Sequence, residues 1–328
     1  MSGFPFDPTY GYSREALLRV GVPDEPDGFG EFWRGRYEDA RRVETRPEVG
    51  ALEEVRDGVR IHEVTFTSVG GVRLGGWLVR PAEGPVRRGF VIGHGYGGRD
   101  APGPAVPLPL PGSAAILPCV RGMETRGRAP GTGTGTGTGI PADAPSHVLH
   151  GIRSRETYVL GDCVADLWCA ASALRELLPE SPAAPLAYLG ESLGGGLGAL
   201  ALPWDDRFVC AALTVPTFGN HPLRLTLPCV GSGESVRAYH ATHPEVTEVL
   251  PYFDAAAAAT RIRVPVLVAA ADADPSVPPP GQYAVHNGLR EDLRTLHPLS
   301  AGHMEYAGEE RERAQLAAAL TEFAGAYM

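Results

Sequence analysis

The fold of this chain is decided by the stretch LAYLGESLGGG, residues 186–196. Its first part, residues 186–189, is a short apolar run typical of a buried parallel strand. Small residues follow and predict a helix, so the turn between the two elements must be sharp. Such a turn forces Ser192 into a strained backbone conformation. The positions two residues away on either side must then be nearly free of side-chain atoms, and glycine occupies both, at Gly190 and Gly194.

A Gly-x-Ser-x-Gly pentapeptide between a strand and a helix is typical of the nucleophile elbow of α/β hydrolases. The pentapeptide alone is common by chance and can be a plain tight turn, so its placement makes the signal specific. A serine hydroxyl is a poor nucleophile at neutral pH and needs a general base to remove its proton. The sequence therefore predicts Ser192 as the nucleophile and requires an acid and a histidine further along the chain.

Two aspartates compete for the role of the acid. In this fold the partners follow the serine in the order acid, then histidine. The apolar run 264–271 predicts a strand, and Asp272 and Asp274 stand at its end. Asp274 leads into a turn-rich segment, PSVPP, and is favoured as the acid. Asp272 remains the rival. The aspartate that is not the acid is expected to be a solvated or turn-capping carboxylate. His303 lies in a glycine-marked loop before the last predicted helix and is predicted as the base.

The developing negative charge on a substrate carbonyl oxygen needs backbone donors. The first predicted donor is the N–H of Leu193, directly after the nucleophile, and the second comes from the loop after an earlier strand. That loop reads HGYGG, residues 94–98, and its glycines permit a close backbone approach. We assign the second donor to the N–H of Tyr96. His94 is interpreted as a residue that orders the loop rather than as a second base.

Strand and helix patterns alternate along the rest of the chain, which predicts an α/β fold with a mostly parallel central sheet flanked by helices. The predicted strands are 59–67, 72–79, 90–93, 114–120, 186–189, 208–215 and 264–271, and the predicted helices are 29–43, 157–178, a segment after Leu193, and 309–328. We expect one domain, 1–328. Residues 1–50 are predicted to form an N-terminal extension whose helix packs on the core through its aromatic residues Phe29, Phe32, Trp33 and Tyr37.

Two segments interrupt this pattern. Residues 101–113 carry five prolines, so a helix is not expected there. Residues 131–139 alternate strictly between glycine and threonine. A phosphate-binding loop would require a Gly-Lys-Ser/Thr ending, which is missing, so this repeat is interpreted as a flexible surface loop.

Composition narrows the class of substrate and partner. The chain has 29 basic and 39 acidic residues, a net charge of −10, so it repels nucleic acid and suits a neutral or small substrate. It has no apolar stretch of about 18 to 20 residues and no secretory signal at its N-terminus, which predicts a cytoplasmic protein that does not enter membranes. The five scattered cysteines are interpreted as small buried residues, and no metal site is expected.

Beyond the elbow, an ordered set of motifs resembles family seven of the carbohydrate esterases, the acetyl xylan esterase and cephalosporin C deacetylase group. The resemblance runs nearly end to end. The matching segments are Phe29-Gly-Glu-Phe-Trp33, Arg41-Arg-Val-Glu44, His94-Gly-Tyr96, Cys119-Val-Arg121-Gly122, Gly151-Ile152 with Thr157-Tyr158, Tyr252-Phe-Asp254, and Asp274 with Pro278-Pro279. The aspartate of that family stands four residues before a Pro-Pro pair, so the resemblance selects Asp274.

This resemblance implies a serine esterase that removes acetyl groups from xylo-oligosaccharides or cephalosporins without a cofactor. It also implies a cytoplasmic homo-oligomer, a ring-shaped hexamer. Three residues depart from the family pattern: Met123 and Leu193 replace glutamines, and Met304 interrupts a His-Glu pair. These changes bear on the choice of substrate. The alternatives are an esterase or acyltransferase for another small acyl ester, or a non-catalytic binding protein on the same scaffold.

Overall fold

The computed structural model describes residues 3–123 and 139–328, and nine strands within these ranges form one sheet. The strands are β1 (Glu48–Arg56), β2 (Val59–Thr67), β3 (Arg73–Pro81), β4 (Arg88–Gly93), β5 (Ser113–Pro118), β6 (Leu186–Glu191), β7 (Phe208–Thr214), β8 (Val266–Ala271) and β9 (Arg294–Leu299). Their order across the sheet is β1-β2-β3-β5-β4-β6-β7-β8-β9. Residues 131–138 of the predicted Gly-Thr loop lie outside the described residues.

The sheet is mixed, with antiparallel and parallel halves. The pairs β1–β2, β2–β3 and β3–β5 are antiparallel, and every pair from β5 across to β9 is parallel. Because ligands of such sheets bind outside the carboxyl ends of the parallel strands, the loops that follow β4 to β9 define the edge at which a site is expected. The predicted mostly parallel sheet is confirmed.

Helices cover both faces of the sheet. Ten α-helices occur in the described part of the chain: α1 (Arg14–Leu17), α2 (Phe29–Arg41), α3 (Ala144–His147), α4 (Val159–Leu177), α5 (Leu193–Ala201), α6 (His221–Arg224), α7 (Ser232–His240), α8 (Ala255–Ala259), α9 (Pro279–Gly288) and α10 (Glu309–Tyr327). Side chains of β4 alternate between two apolar clusters. Val91 joins the cluster that contains α4 and α5, and Phe90 joins the one that contains Phe323 of α10. None of the helices described is long and apolar enough to span a bilayer.

Helix α2 packs on the core of the molecule. Phe29 and Trp33 are buried, and the Trp33 ring meets Trp168 of α4 edge to face at a centroid distance of 6.2 Å. The indole N–H of Trp33 donates a hydrogen bond of 2.8 Å to the carbonyl of Tyr252. Because α2 covers the outer side of α4, that helix is buried nearly all round, although its sequence indicated only one apolar face.

Both edge strands were missed by the sequence patterns. β1 reads EVGALEEVR and is exposed along almost its whole length, since it pairs only with β2. β9 reads RTLHPL and holds a proline, which edge strands tolerate. Neither segment shows the alternation of apolar and polar residues from which strands are predicted. The proline-rich segment 101–113 contains only the short 3-10 turn Gly103–Ala105, and all five cysteines are buried, as predicted.

Candidate active site

Ser192 lies between the end of β6 and the start of α5, with φ 53° and ψ −111°. A residue other than glycine rarely adopts this conformation, which costs about 1–3 kcal/mol and persists only where the surroundings impose it. Here the N–H of Ser192 donates to the carbonyl of Thr214 at 2.9 Å, and its own carbonyl accepts from the N–H of Gly196 at 3.0 Å. These hydrogen bonds hold the backbone of the turn in place.

The glycines of the elbow are required by close backbone contacts. A Cβ on Gly190 would overlap the carbonyl of Gly194, and a Cβ on Gly194 would lie 2.7 Å from the carbonyl carbon of Gly93. The Tyr188 hydroxyl donates to the carbonyl of Gly194 at 2.6 Å. The demand for side-chain-free neighbours, inferred from the sequence, therefore has a steric cause in β4 and α5.

The three side chains predicted from the sequence meet at the carboxyl edge of the sheet. Ser192 Oγ lies 2.9 Å from His303 Nε2, and His303 Nδ1 lies 2.7 Å from Asp274 Oδ2. Asp274 is completely buried, whereas the His303 side chain is 26% exposed. His303 also has a positive φ, 48°. The imidazole can thus be reached from solvent while its carboxylate partner cannot.

Asp274 is held on both of its oxygens. Oδ1 accepts from the N–H groups of Ser276 and Val277 at 2.8 and 2.9 Å, and Oδ2 accepts from Gln282 Nε2 at 2.9 Å. Gln282, buried on α9, also donates to the carbonyl of Val277 at 2.7 Å and accepts from the N–H of Ala271 at 2.8 Å. Every polar atom of the Gln282 amide is therefore used, which fixes its orientation and that of the carboxylate.

The sequence reasoning missed Gln282. The available signal was a polar side chain that follows three consecutive prolines and a glycine, eight residues after the candidate acid. A buried amide must satisfy its hydrogen bonds, and the groups nearest to it are those of the acid loop.

Asp272, the rival acid, points elsewhere. Its carboxylate accepts from the Arg14 guanidinium at 2.5 Å and from the Tyr283 hydroxyl at 2.7 Å. The sequence suggested a solvated or turn-capping carboxylate. The structure shows instead that Asp272 forms an ion pair with Arg14 of the N-terminal extension. The extension also contacts the acid loop directly, since the carbonyl of Pro8 accepts from the N–H of Asp274 at 2.9 Å.

Opposing influences act on the pKa of His303. Burial lowers this pKa, but the hydrogen bond and the charge of Asp274 outweigh burial and raise the pKa above the ordinary value of 6.5. The carboxylate of Glu191 raises it further. Its imidazolium form is therefore favoured more than that of a free histidine.

Two backbone donors lie beside the serine. Leu193 is the first residue of α5, where N–H groups have no acceptor within the helix. The loop with Tyr96 lies against the nucleophile, because a Cβ on Gly95 would be 3.7 Å from Ser192 Cβ. Among residues 3–123 and 139–328, no acceptor is found for the N–H of Tyr96 or of Leu193.

His94 orders the loop that carries Tyr96. Its Nδ1–H donates to the carbonyl of Gly95 at 2.7 Å, and its Nε2 accepts from the N–H of Val120 at 3.1 Å. Burial lowers the pKa of His94 to about 4, so the ring is neutral at pH 7. Both ring nitrogens are occupied, which agrees with a structural role rather than with that of a second base.

The Arg-Gly motif at 121–122 is a buried structural unit. The Arg121 guanidinium pairs with the buried Asp166 at 2.6 Å. The carbonyl of Arg121 lies 3.0 Å from His147 Nε2, and the His147 ring meets the Tyr96 ring edge to face at 5.7 Å. The motif therefore supports the Tyr96 loop through His147.

The three residues that depart from the family pattern differ in exposure. Met123 and Leu193 are buried, with 2% and 0% of their surface exposed, whereas Met304 is half-buried beside His303. Met304 is thus the substitution with the most surface free to meet a substrate.

In this structure a strained serine lies between a strand and a helix, and a histidine and an aspartate from later loops of the mostly parallel sheet reach it. This arrangement defines the α/β-hydrolase class. The sequence matches the acetyl xylan esterase (AXE1) family over residues 19–319, and the chain belongs to that family. It is a carboxylic ester hydrolase that acts on acetyl esters.

Solved structures share the fold at low sequence identity. An acetyl xylan esterase from Paenibacillus sp. R4 is 21% identical, with 94% of this chain and 99% of that chain covered and a TM-score of 0.75. Acetyl xylan esterase 1 from Thermoanaerobacterium sp. JW/SL YS485 is 18% identical, with 96% and 99% covered and a TM-score of 0.73. The Pyrococcus horikoshii acylaminoacyl peptidase is 14% identical with a TM-score of 0.57, and only 43% of its chain is covered.

Proposed function

We propose that Ser192, His303 and Asp274 are the catalytic triad of an esterase that removes acetyl groups from small molecules. The N–H groups of Leu193 and Tyr96 would form the oxyanion hole. The observation that carries this proposal is the continuous line of hydrogen-bond distances, 2.9 Å from Ser192 Oγ to the imidazole and 2.7 Å from the imidazole to the buried carboxylate.

In the proposed mechanism, Ser192 Oγ attacks the acetyl carbonyl carbon while His303 Nε2 takes the hydroxyl proton. Asp274 keeps the Nδ1–H tautomer and stabilises the imidazolium. The carbonyl oxygen becomes an oxyanion held by the two backbone N–H groups. The imidazolium then protonates the leaving alcohol, and water, deprotonated by His303, releases acetate from the acetyl-enzyme.

The finer assignments rest on the family resemblance. We propose acetylated xylo-oligosaccharides or cephalosporin C-like acetyl esters as substrates, with a cytoplasmic homo-oligomer, a hexamer, as the working form. Acyl transfer through a triad needs no cofactor. We further propose that residues 1–328 act as one catalytic domain, because the extension contacts the acid loop through Pro8 and Arg14.

A chain-length series with an activity-based probe tests the proposed function. We expect a fluorophosphonate to label Ser192, because only an activated serine reacts. We expect kcat/KM to fall at least about tenfold from 4-nitrophenyl acetate to the butyrate, since one misfitting methylene is worth about 1–3 kcal/mol in a shaped pocket. Failure of labelling would contradict the triad, and a flat chain-length profile would contradict a deacetylase.

The pH dependence follows from the raised pKa of His303. Only the neutral imidazole can accept the serine proton, so kcat/KM is lost as the pH falls through this pKa. We expect the acidic limb above pH 6.5, the ordinary histidine value. Because the charge of Glu191 raises the pKa, Glu191→Gln should move the limb to lower pH, whereas the exposed Glu83→Gln should not. A limb that stays in place in Glu191→Gln would refute this electrostatic account.

A further inference from the structure

Gln282 donates to the same carboxylate oxygen that faces His303. Asp274 Oδ2 lies 2.9 Å from Gln282 Nε2 and 2.7 Å from His303 Nδ1. Only one orientation of the amide suits its other neighbours, because Nε2 also meets the carbonyl of Val277 at 2.7 Å and Oε1 meets the N–H of Ala271 at 2.8 Å. A rotated amide would turn its oxygen toward two acceptors and its nitrogen toward a donor. The fold therefore fixes the N–H that reaches Oδ2.

The oxygen shared by these two donors is closed to solvent. Asp274 and Gln282 both have 0% of their surface exposed. A Cβ on Gly302 would lie 2.5 Å from Asp274 Oδ2, so the backbone just before His303 also closes on this oxygen. A buried carboxylate depends on the hydrogen bonds that its surroundings provide. Without the Gln282 amide, Oδ2 would keep His303 as its donor, and solvent could not replace the lost one unless the loop moved.

Few charges act on this pair of residues. The charges that raise the pKa of His303 are those of Asp274 and of Glu191, at the end of β6. Three groups from other elements lie around the acid loop, namely Tyr10, Cys229 and Arg224. Burial raises the pKa of the phenol and of the thiol, so both are uncharged at pH 7. The guanidinium keeps its charge throughout. None of these three groups changes charge near neutral pH.

We propose that Gln282 is a positioning residue of the triad, whose Nε2–H holds Asp274 Oδ2 against His303 and takes up part of its negative charge. The inference rests on the proposed triad and adds a fourth side chain to it. A hydrogen bond to a charged oxygen reduces what that oxygen offers to its other contacts. With the amide in place, Asp274 stabilises the imidazolium less than a carboxylate with a free Oδ2 would. The neutral imidazole that accepts the serine proton therefore persists to lower pH.

Gln282→Met tests this role, because methionine fills a similar space and cannot donate a hydrogen bond. We expect the acidic limb of kcat/KM for 4-nitrophenyl acetate to move to higher pH by about 0.5 to 1 unit, the equivalent of one ordinary hydrogen bond. Above the limb, kcat should fall by about ten- to hundredfold with little change in KM, because the carboxylate is less firmly held. The position of the limb does not depend on how much enzyme is folded. A limb that stays in place overturns the role, whatever the loss of kcat.

Asn287→Met is the matched control on the same helix. The Asn287 amide donates to the carbonyls of Leu17 and Val20, both at 3.0 Å, and in the described part of the chain it makes no hydrogen bond to the acid loop. We expect this variant to melt at a lower temperature but to keep its acidic limb in place. A limb displaced as far as that of Gln282→Met would mean that any disturbance of α9 moves it, and the role would be overturned.

Gln282→Glu is the conservative variant, and it serves also if Gln282→Met does not fold. Two carboxyl groups at the 2.9 Å separation of Gln282 Nε2 and Asp274 Oδ2 cannot both ionise. Asp274 keeps the charge, because Ser276 and Val277 donate to Oδ1 and His303 to Oδ2. The O–H of the introduced carboxyl then replaces the amide N–H, and the limb should stay close to that of the unaltered enzyme. A displacement of about half a unit or more in this variant overturns the role.

An NMR titration of the His303 ring separates this inference from the proposed function. The resonance is assigned by its loss in His303→Gln, and its pKa is compared between the unaltered enzyme and Gln282→Met. We expect the higher pKa in Gln282→Met. If the unaltered enzyme releases no acetate and Ser192 is not labelled, the proposed function fails. If the enzyme is active and labelled but the pKa of His303 is the same in both proteins, only the role of Gln282 fails.

Discussion

Ser192→Ala is expected to lower kcat for acetate release from 4-nitrophenyl acetate by about 10⁶-fold, the loss found when a triad serine is removed. The alanine has no oxygen at the position 2.9 Å from His303 Nε2, so no acetyl-enzyme can form. KM has little meaning at that residual rate, and the comparison is best made by single-turnover acetate release. Turnover close to that of the unaltered enzyme would refute Ser192 as the nucleophile.

Ser192→Gly is the matched control for this loss. Both variants lack the nucleophile and should be equally inactive, but they differ in backbone strain. Glycine adopts a φ of 53° without penalty, whereas alanine keeps the strain. We therefore expect the glycine variant to unfold at higher denaturant concentration than the alanine variant, by a free energy of about 1 kcal/mol. Equal stability of the two variants would mean that the strain is no larger than the extra backbone entropy that glycine loses on folding, about 0.5–1 kcal/mol.

How far the site could be predicted depends on the range of the interactions that build it. The elbow is local: an apolar run, two glycines and a run of small residues lie within eleven positions, and steric overlap at Gly190 and Gly194 explains the pattern. The position of His303 followed from chain order and a glycine-marked loop. Signals of this kind are present in the sequence because neighbouring residues alone determine them.

Local sequence signals could not identify which of Asp272 and Asp274 contacts the histidine. They are two residues apart at the end of one strand, and the residues alone left both open. The two aspartates differ in the side chains that they contact, and those side chains are distant in sequence. Arg14 is 258 positions from Asp272, and His303 is 29 positions from Asp274. Gln282 was missed for the same reason, since a buried amide acquires its role only from the groups that the fold brings around it.

The edge strands β1 and β9 were missed for a different reason. A strand is recognised from sequence when one of its faces is buried and the other is not. β1 is exposed along nearly its whole length and pairs on one side only, so neither face selects apolar residues. Its place in the sheet is set by backbone pairing with β2, for which the side chains carry little information.

Asp274→Asn is expected to lower kcat by about 10⁴-fold with little change in KM, as in serine hydrolases whose triad acid is replaced by the amide. The N–H groups of Ser276 and Val277 point at one carboxylate oxygen, so the asparagine carbonyl should take that position. Its amide N–H₂ then faces His303 Nδ1 as a donor. The imidazole must carry its proton on Nε2, where it can no longer accept the proton of the serine hydroxyl.

Asp272→Asn is the control that separates the two aspartates. It removes the charge that pairs with Arg14, a partly exposed ion pair worth about 1 kcal/mol or less, and leaves the His303 contact intact. We expect its kcat to stay close to that of the unaltered enzyme. Because the charge of Asp274 raises the pKa of His303, the residual activity of Asp274→Asn should show its acidic limb at lower pH, and that of Asp272→Asn should not. An inactive Asp272→Asn beside an active Asp274→Asn would reverse the assignment of the acid.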